Sequence, residues 1–592
     1  MRGTLLAMPV VILLGLASAF AGCVQDAGAT RAGTAEPSAS GASAGDSTLE
    51  SQTPKAGSKI TYVLPFYPGF SSGTDAQFAA EVANLRNRLG EGRFVRVGFN
   101  RYVFTSMERW DVAPADRETV RANLRSTLAQ IDAAVARAKG AGIPISLSLL
   151  TAIRERYDPL QTAAEREDRR NTQWYSNGDI APGWITLSRY ARRMRGRYEA
   201  YVREIGAHFA ATMAREPATL VAASGDGEVE LSFERDRLPT SVDVTDYSPF
   251  AVAEFRDWLR NGGLYAPGQP YAGQGYTQAT RYQGDASPAV DSNGDGHTLN
   301  TDFGTAFTTW SLRHFDWSLA DNPSADGNAI PASTYERAEF TARPGTDASR
   351  FDAPRTRQVG NVWWEVWDRF RQEMVWHYNI DFAQWITTSP DPVSGATVPT
   401  DRWFSHQIPA DYLFGFSPGN PNPRLVTSAS PHWTADISPY GSLGITSFNV
   451  NLGGGRFAET LSTVMPHMAA RGRRWAILEW NPSIPPSASV DIYAKDAALV
   501  ERYRPAVVIP WAWGDIEYQV NGPFETALRA MIARMKDTPP SVPLATSDAS
   551  DELAAPPDLR RLLDVLHAVP DRQRLRDLQW RGDPAVSPEA PR

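Results

Sequence analysis

Leu220–Val221–Ala222–Ala223–Ser224–Gly225–Asp226–Gly227–Glu228 and Trp475–Ala476–Ile477–Leu478–Glu479 are the two stretches that decide how this chain is read. Each is an apolar run of strand length that leads to a glutamate. Burying a carboxylate without a partner is costly, so an acid at the end of a buried strand needs a reason. If both strands belong to one ring of parallel strands, the two acids lie on the same rim and face each other across a pocket.

Working outward from these stretches, the sequence yields eight strand candidates: Ile60–Phe66, Phe94–Phe99, Ile143–Leu150, Leu220–Ser224, Arg402–Ile408, Leu443–Phe448, Arg474–Trp480 and Ala506–Trp513. Helical patterns fill most of the gaps, at about 75–90, 117–139, 186–214, 456–470, 491–503 and 523–536. The second of these is stopped by Gly140 and Gly142. Eight alternating strand–helix units predict a (β/α)8 TIM barrel. Between the fourth and fifth strands lies a stretch too long for a connecting loop, about 233–400. It has helical pieces at 249–260, 304–319 and 361–387. An insertion after a barrel strand sits on the C-terminal face, so it is expected to wall or cover the pocket.

The ends read differently from the middle. Met1–Arg2, an apolar stretch from Leu5 to Ala19 and then Phe20–Ala21–Gly22–Cys23 describe a secretory signal. The Ala–Gly–Cys ending resembles the bacterial lipoprotein lipobox. That resemblance implies removal of residues 1–22 and lipid on Cys23, with Val24 favouring the outer membrane of the cell envelope over the inner. Residues 23–58 are rich in Ala, Gly, Ser, Thr and Pro, the composition of a flexible tether. The barrel is expected over 59–536. A Pro- and Ser-rich peripheral tail with a short helix at about 557–567 fills 537–592.

Composition narrows the partners. The net charge of −8 and the lack of a long basic run argue against nucleic acid. Cys23 is the single cysteine, so no intramolecular disulfide forms. Eighteen tryptophans, 20 tyrosines and 24 phenylalanines supply a large core, and some at strand ends would offer flat faces for a sugar ring.

Around the two acids the chain resembles a known group. Gly225–Asp226–Gly227–Glu228–Val229 is similar to the acid/base region of retaining barrel glycoside hydrolases, and Ile477–Leu478–Glu479–Trp480–Asn481 to their nucleophile region. Arg402–Pro409, Ser447–Phe448–Asn449 and the helix-like Phe250–Leu259 also look like segments of clan A, with family 42-like β-glycosidases as the named relatives. The resemblance implies a retaining glycosidase acting on an oligo- or polysaccharide, with Glu228 as acid/base, Glu479 as nucleophile and no required cofactor. It departs at Gly227, where clan A carries an Asn that contacts the sugar 2-hydroxyl. The fourth-strand pattern is also similar to β-amylase, an inverting enzyme. A non-catalytic glycan-binding barrel is the reading from another class, and Glu230 competes with Glu228.

The chemistry asks for one carboxyl kept protonated and one kept ionised. Separations of about 5–5.5 Å imply retention and about 6.5–9.5 Å inversion. Arg96, a lone charge between apolar neighbours, is expected to point inward at Glu479. His406 and Gln407 end the fifth strand, Tyr440 and Asn449 flank the sixth, and Trp480, Trp511 and Trp513 end the seventh and eighth. All are candidate sugar contacts. Asp291, Asn293, Asp295 and Asp302 match the spacing of an EF-hand loop, with Gly296 at its sixth position. The expectations there are a structural calcium or an Asx-rich turn without metal. No zinc pattern and no phosphate-binding glycine loop is present.

Overall fold

The computed structural model describes residues 60–104, 116–150, 192–225, 284–303, 378–407, 440–448, 474–481, 490–511 and 521–540, with a few isolated positions between them. All lie within one compact unit, Gln52–Arg592. The expected signal, tether, tail helix and 456–470 helix lie outside the described residues.

Nine parallel strands form one sheet. They are β1 (Thr61–Val63), β2 (Val95–Val97), β3 (Phe99–Phe104), β4 (Ile145–Leu150), β5 (Leu220–Gly225), β8 (Trp403–Gln407), β9 (Ser442–Phe448), β10 (Trp475–Asn481) and β11 (Val507–Pro510). The order is β2-β1-β11-β10-β9-β8-β5-β4-β3. The two ends of that list are consecutive in the chain and flank Gly98, so β2 and β3 are one barrel strand and the sheet closes on itself with eight staves. Val95, Val97, Phe99 and Val103 all join the outer core, so side-chain alternation runs through Gly98 unbroken. A Cβ on Gly98 would lie 1.8 Å from the Pro144 carbonyl oxygen, which is why only glycine fits at the seam. There the Gly98 N–H donates to Val63 O at 3.2 Å and the Asn100 N–H to Pro65 O at 2.9 Å. The eight expected strands are all found, and the second runs on to Phe104. The fourth and fifth staves, β5 and β8, pair directly although about 180 residues separate them in sequence. A small antiparallel pair, β6 (Phe233–Glu234) and β7 (Asp243–Val244), lies within that insertion.

Alternation separates two cores. Tyr62, Leu64, Ala222, Phe404, Ala476, Leu478, Val507 and Ile509 fill the barrel interior. The other parity packs against helices α1 (Asp75–Leu89), α2 (Arg117–Asn123), α3 (Arg125–Gly140), α4 (Arg192–Arg215), α6 (Val490–Tyr503) and α7 (Pro523–Met535). The short α5 (Leu299–Phe303) belongs to the insertion. A capping box starts α1: the Gln77 N–H donates to Thr74 Oγ1, and Gln77 Oε1 accepts from the Thr74 N–H. The expected helix over 117–139 is two helices. Leu124, fully buried with ψ of 5°, breaks it, its N–H shared between Val120 O and Arg121 O.

Candidate active site

The seventh stave carries a local irregularity that sets the site. In β10, Trp475 and Ile477 face the helices, while Ala476 and Leu478 face the barrel interior. Strict alternation would turn Glu479 outward and Trp480 inward. Instead Trp480 faces out, fully buried against Phe524 of α7 with ring centroids 5.2 Å apart. The register with β9 slips between Ile477 and Glu479, a β-bulge that reverses the parity. Glu479 therefore falls on the interior side, opposite Thr446, at the C-terminal mouth and 9% exposed. Bulges re-aim a side chain in this manner next to active sites.

Aromatic side chains form the neighbouring wall. Trp511, just past the eighth stave, stacks on Phe66 at 4.5 Å and 13°, and Tyr102 meets both edge-on at 5.8 and 4.8 Å. On the second to fourth staves the interior is polar instead. Asn100 Nδ2 donates to Ser146 Oγ at 2.9 Å and to Ser148 Oγ at 3.0 Å, and Ser224 Oγ donates to Ser148 Oγ at 2.9 Å. The Asn100 Oδ1 atom is buried and has no hydrogen-bond partner, which leaves it an open acceptor. One carboxylate, a flat apolar wall and a neutral hydroxyl–amide ladder thus share the upper interior of the barrel.

Several expected site residues stand elsewhere. Arg96 faces the interior but pairs in register with Tyr62, at the level of Ala476. That is three residues, about 10 Å, below Glu479. Its Nη1 donates to the Gly92 carbonyl just before the strand, so the expected pairing with Glu479 is corrected. Trp480 is corrected likewise, because the bulge sends it into the outer core. Trp513 is 2% exposed behind the barrel wall, its Nε1 donating to Glu81 Oε2 at 3.2 Å and its ring under Arg88. Tyr440 precedes β9 at the N-terminal end, where its hydroxyl accepts from Gln384 Nε2 at 3.2 Å, far from the mouth. His406 and Gln407 end β8 as expected in backbone position, but their side chains lie outside the described residues, as do Glu228, Glu230 and Asn449 entirely. Phe66, Tyr102, Asn100 and the three serines were not singled out from sequence. Their signal is parity, since each falls on the interior face of a stave.

In the Asp291 loop the carboxylates turn onto their own backbone. Asp291 Oδ1 accepts from the Gly294 N–H at 2.7 Å, Oδ2 from the Gly296 N–H at 2.8 Å, and Asp295 Oδ1 from the His297 N–H at 2.9 Å. This hydrogen bonding is that of an Asx turn. Asp302 falls in α5, its side chain outside the described residues. Among the described residues no three His, Cys, Asp or Glu side chains converge to hold a metal.

A groove of about 430 Å³ lies in the outer helical layer, lined among others by Asp116, Arg117, Arg203, Glu204 and Ser389. Its charges are already used: Glu204, 4% exposed, binds both Arg117 and Arg121, and Asp116 caps α2 through the Thr119 N–H. It joins α2 to α4 and offers no free chemistry.

The class defined by this architecture is the closed (β/α)8 barrel with an inward carboxylate at its C-terminal mouth. No family model and no curated protein matches the chain. Solved structures similar to it include the catalytic domain of β-amylase from Paenibacillus polymyxa, at 12% identity and TM-score 0.48, covering 81% of this chain and 98% of that one. A GH5_18 protein from Streptomyces cattleya in complex with GlcNAc aligns at 10% identity and TM-score 0.32, covering 81% and 82%. An endo-β-1,4-mannanase from Thermotoga petrophila aligns at 11% identity and TM-score 0.30, covering 81% and 78%. Likeness of this degree carries no argument about activity, because barrels host many chemistries.

Proposed function

We propose that this protein is a glycoside hydrolase that cleaves O-glycosidic bonds in an oligo- or polysaccharide with retention of configuration. The observation that carries the reading is the bulge that turns Glu479 into the barrel mouth, beside an aromatic wall and a neutral hydrogen-bonding ladder. An aromatic face suits the apolar face of a pyranose, and hydroxyl and amide groups suit its equatorial hydroxyls. Glu479 would attack the anomeric carbon while Glu228, as general acid, gives its proton to the departing glycosidic oxygen. Glu228, now ionised, would then take a proton from water, whose oxygen displaces Glu479 and releases the sugar. Glu230 is the competitor for the Glu228 role.

The test is hydrolysis of a broad glycan panel by wild type, Glu479→Ala and Glu228→Ala, with folding checked by circular dichroism. Each substitution should lower turnover by at least about 10³-fold. Azide should rescue Glu479→Ala on an activated substrate, giving the glycosyl azide. A wild type that binds glycans without turning any over leaves a glycan-binding barrel, and an inverted product anomer leaves a β-amylase-like course. Either result removes the retaining assignment.

We also propose, from the Ala21–Gly22–Cys23 sequence alone, that Cys23 carries the lipid that anchors the chain to the bacterial cell envelope at the outer membrane. Metabolic labelling with an alkyne fatty acid, lost in Cys23→Ser, tests this.

A further inference from the structure

The base of the barrel, at the end opposite Glu479, collects cations that ion pairing does not account for. Three arginines have interior parity there. Arg96 lies between outward Val95 and Val97, and Arg402 and Arg474 directly precede outward Trp403 and Trp475. They come from the second, fifth and seventh staves and so approach the barrel axis from different sides. Tyr62 enters the same layer from the first stave, in register with Arg96 and 7% exposed. Burial holds its phenol above the ordinary value, while the charges of Arg402, Arg474 and Arg96 all pull it back, so all three guanidinium groups stand within electrostatic reach of one hydroxyl.

What these arginines already bind is mostly main chain. Arg402 Nη1 donates to Pro217 O at 3.1 Å, Arg96 Nη1 to Gly92 O, and Arg474 Nη1 to Asp401 O at 3.3 Å. Among the described residues, the one carboxylate in ion-pair distance of any of them is Asp401, 3.3 Å from Arg474 and itself 45% exposed. Arg96 and Arg402 thus have no carboxylate in ion-pair distance among the described residues, and Arg474 has one. Each guanidinium has five N–H donors in a planar fork, so a single carbonyl leaves most of them available. Like charges held together repel, and a bound anion would relieve that repulsion while using those donors.

We propose that the N-terminal base of the barrel is a binding site for a small oxyanion of phosphate or sulfate type, held by Arg96, Arg402 and Arg474 with the Tyr62 hydroxyl as a further donor. The phosphate is either free or the terminal group of a lipid. The site is separate from the mouth and independent of the proposed activity, so it stands or falls on binding alone.

The experiment is thermal unfolding of the full chain in inorganic phosphate against chloride at matched ionic strength, for wild type and the Arg96→Gln/Arg402→Gln double variant. Wild type should show a saturable rise of about 2 °C or more that the variant lacks. An equal melting temperature in both salts, or a shift that survives in the variant, overturns the proposal. Co-sedimentation with vesicles containing phosphatidic acid, whose phosphate is terminal, with phosphatidylcholine vesicles as control, separates the two sources. Binding lost in the variant assigns the lipid headgroup, and a phosphate shift without vesicle binding assigns the free oxyanion. If the double variant fails to fold, Tyr62→Phe replaces it: a severalfold weaker midpoint for phosphate supports the site, and an unchanged midpoint overturns it.

Discussion

Leu478 occupies the space that a side chain on Gly444 would need: a Cβ on Gly444 would lie 2.2 Å from Leu478 Cδ1. Gly444 and Leu478 meet inside the barrel on neighbouring staves, directly below the register slip that turns Glu479 inward. The missing side chain on β9 and the bulge on β10 are thus parts of one arrangement. Gly444→Ala should push Leu478 off its rotamer and cost about 1–3 kcal/mol, the usual range for overpacking. If Glu479 is the nucleophile, the same substitution should lower kcat more than it raises KM, because the shift reaches the carboxylate and not the aromatic wall. Urea denaturation with steady-state kinetics checks both, and a fully active, equally stable variant would separate the glycine from the bulge.

A buried ion pair anchors the eighth stave. Glu525 at the start of α7 is fully buried and accepts from Arg88 Nε at 2.8 Å, from Arg88 Nη2 and from the Asn521 N–H at 2.6 Å. The Arg88 guanidinium also lies 4.7 Å from the centre of the Trp513 ring, which ties α1 and α7 to the chain leaving β11. Breaking a buried pair from one side leaves a charge without compensation, so Glu525→Ala should destabilise the fold by about 3–5 kcal/mol. Replacing both partners, as Arg88→Met/Glu525→Leu, should recover much of that loss. Chemical denaturation of the single and double variants is the check, and a double variant no better than Glu525→Ala would mean the pair's worth is not charge compensation.

The barrel was legible because its staves are short apolar runs between good helices, and periodicity reports those directly. The seam at Gly98 was less so: a strand ending at Phe99 and one running on to Phe104 look alike until the Pro144 carbonyl shows why the glycine is there. Within the candidate site, the sequence marks Glu479 by its place at a strand end, yet simple alternation would face it outward. The bulge that corrects this leaves no mark on composition. The same bulge explains why Trp480 was misplaced. Trp513 and Tyr440 failed for another reason: being next to a strand end says nothing of which face or which end of the barrel a side chain reaches. For Arg96, sequence alone does not give the level in the barrel, and the register puts it at the base.

The aromatic wall yields a prediction about substrate. Phe66 covers one face of the Trp511 indole in a parallel stack, so at most the other face can meet a ligand. Trp511→Ala should raise KM about tenfold or more on a responsive glycan, with a smaller fall in kcat, whereas Trp511→Phe should keep most of the binding. Equal KM values for all three proteins would remove Trp511 from the substrate path.

Asp496 makes stability depend on pH. It lies on the face of α6 that carries Tyr493, Ala497 and Val500 into the outer core, and is 3% exposed. Burial pushes its carboxyl up from the ordinary 3.8 to about 7. The folded state therefore holds a proton that the unfolded chain has already released, and stability falls as pH rises between those two values. Over about three pH units this amounts to roughly 4 kcal/mol, fully felt above pH 7 and absent below pH 4. Asp496→Asn keeps the shape without the ionisation. It should match wild type near pH 4 and exceed it in stability at pH 8 by up to that amount. Urea midpoints for both proteins from pH 4.5 to 8.5 provide the measurement; parallel curves across that range would mean that Asp496 ionises as readily in the folded protein as in the unfolded chain.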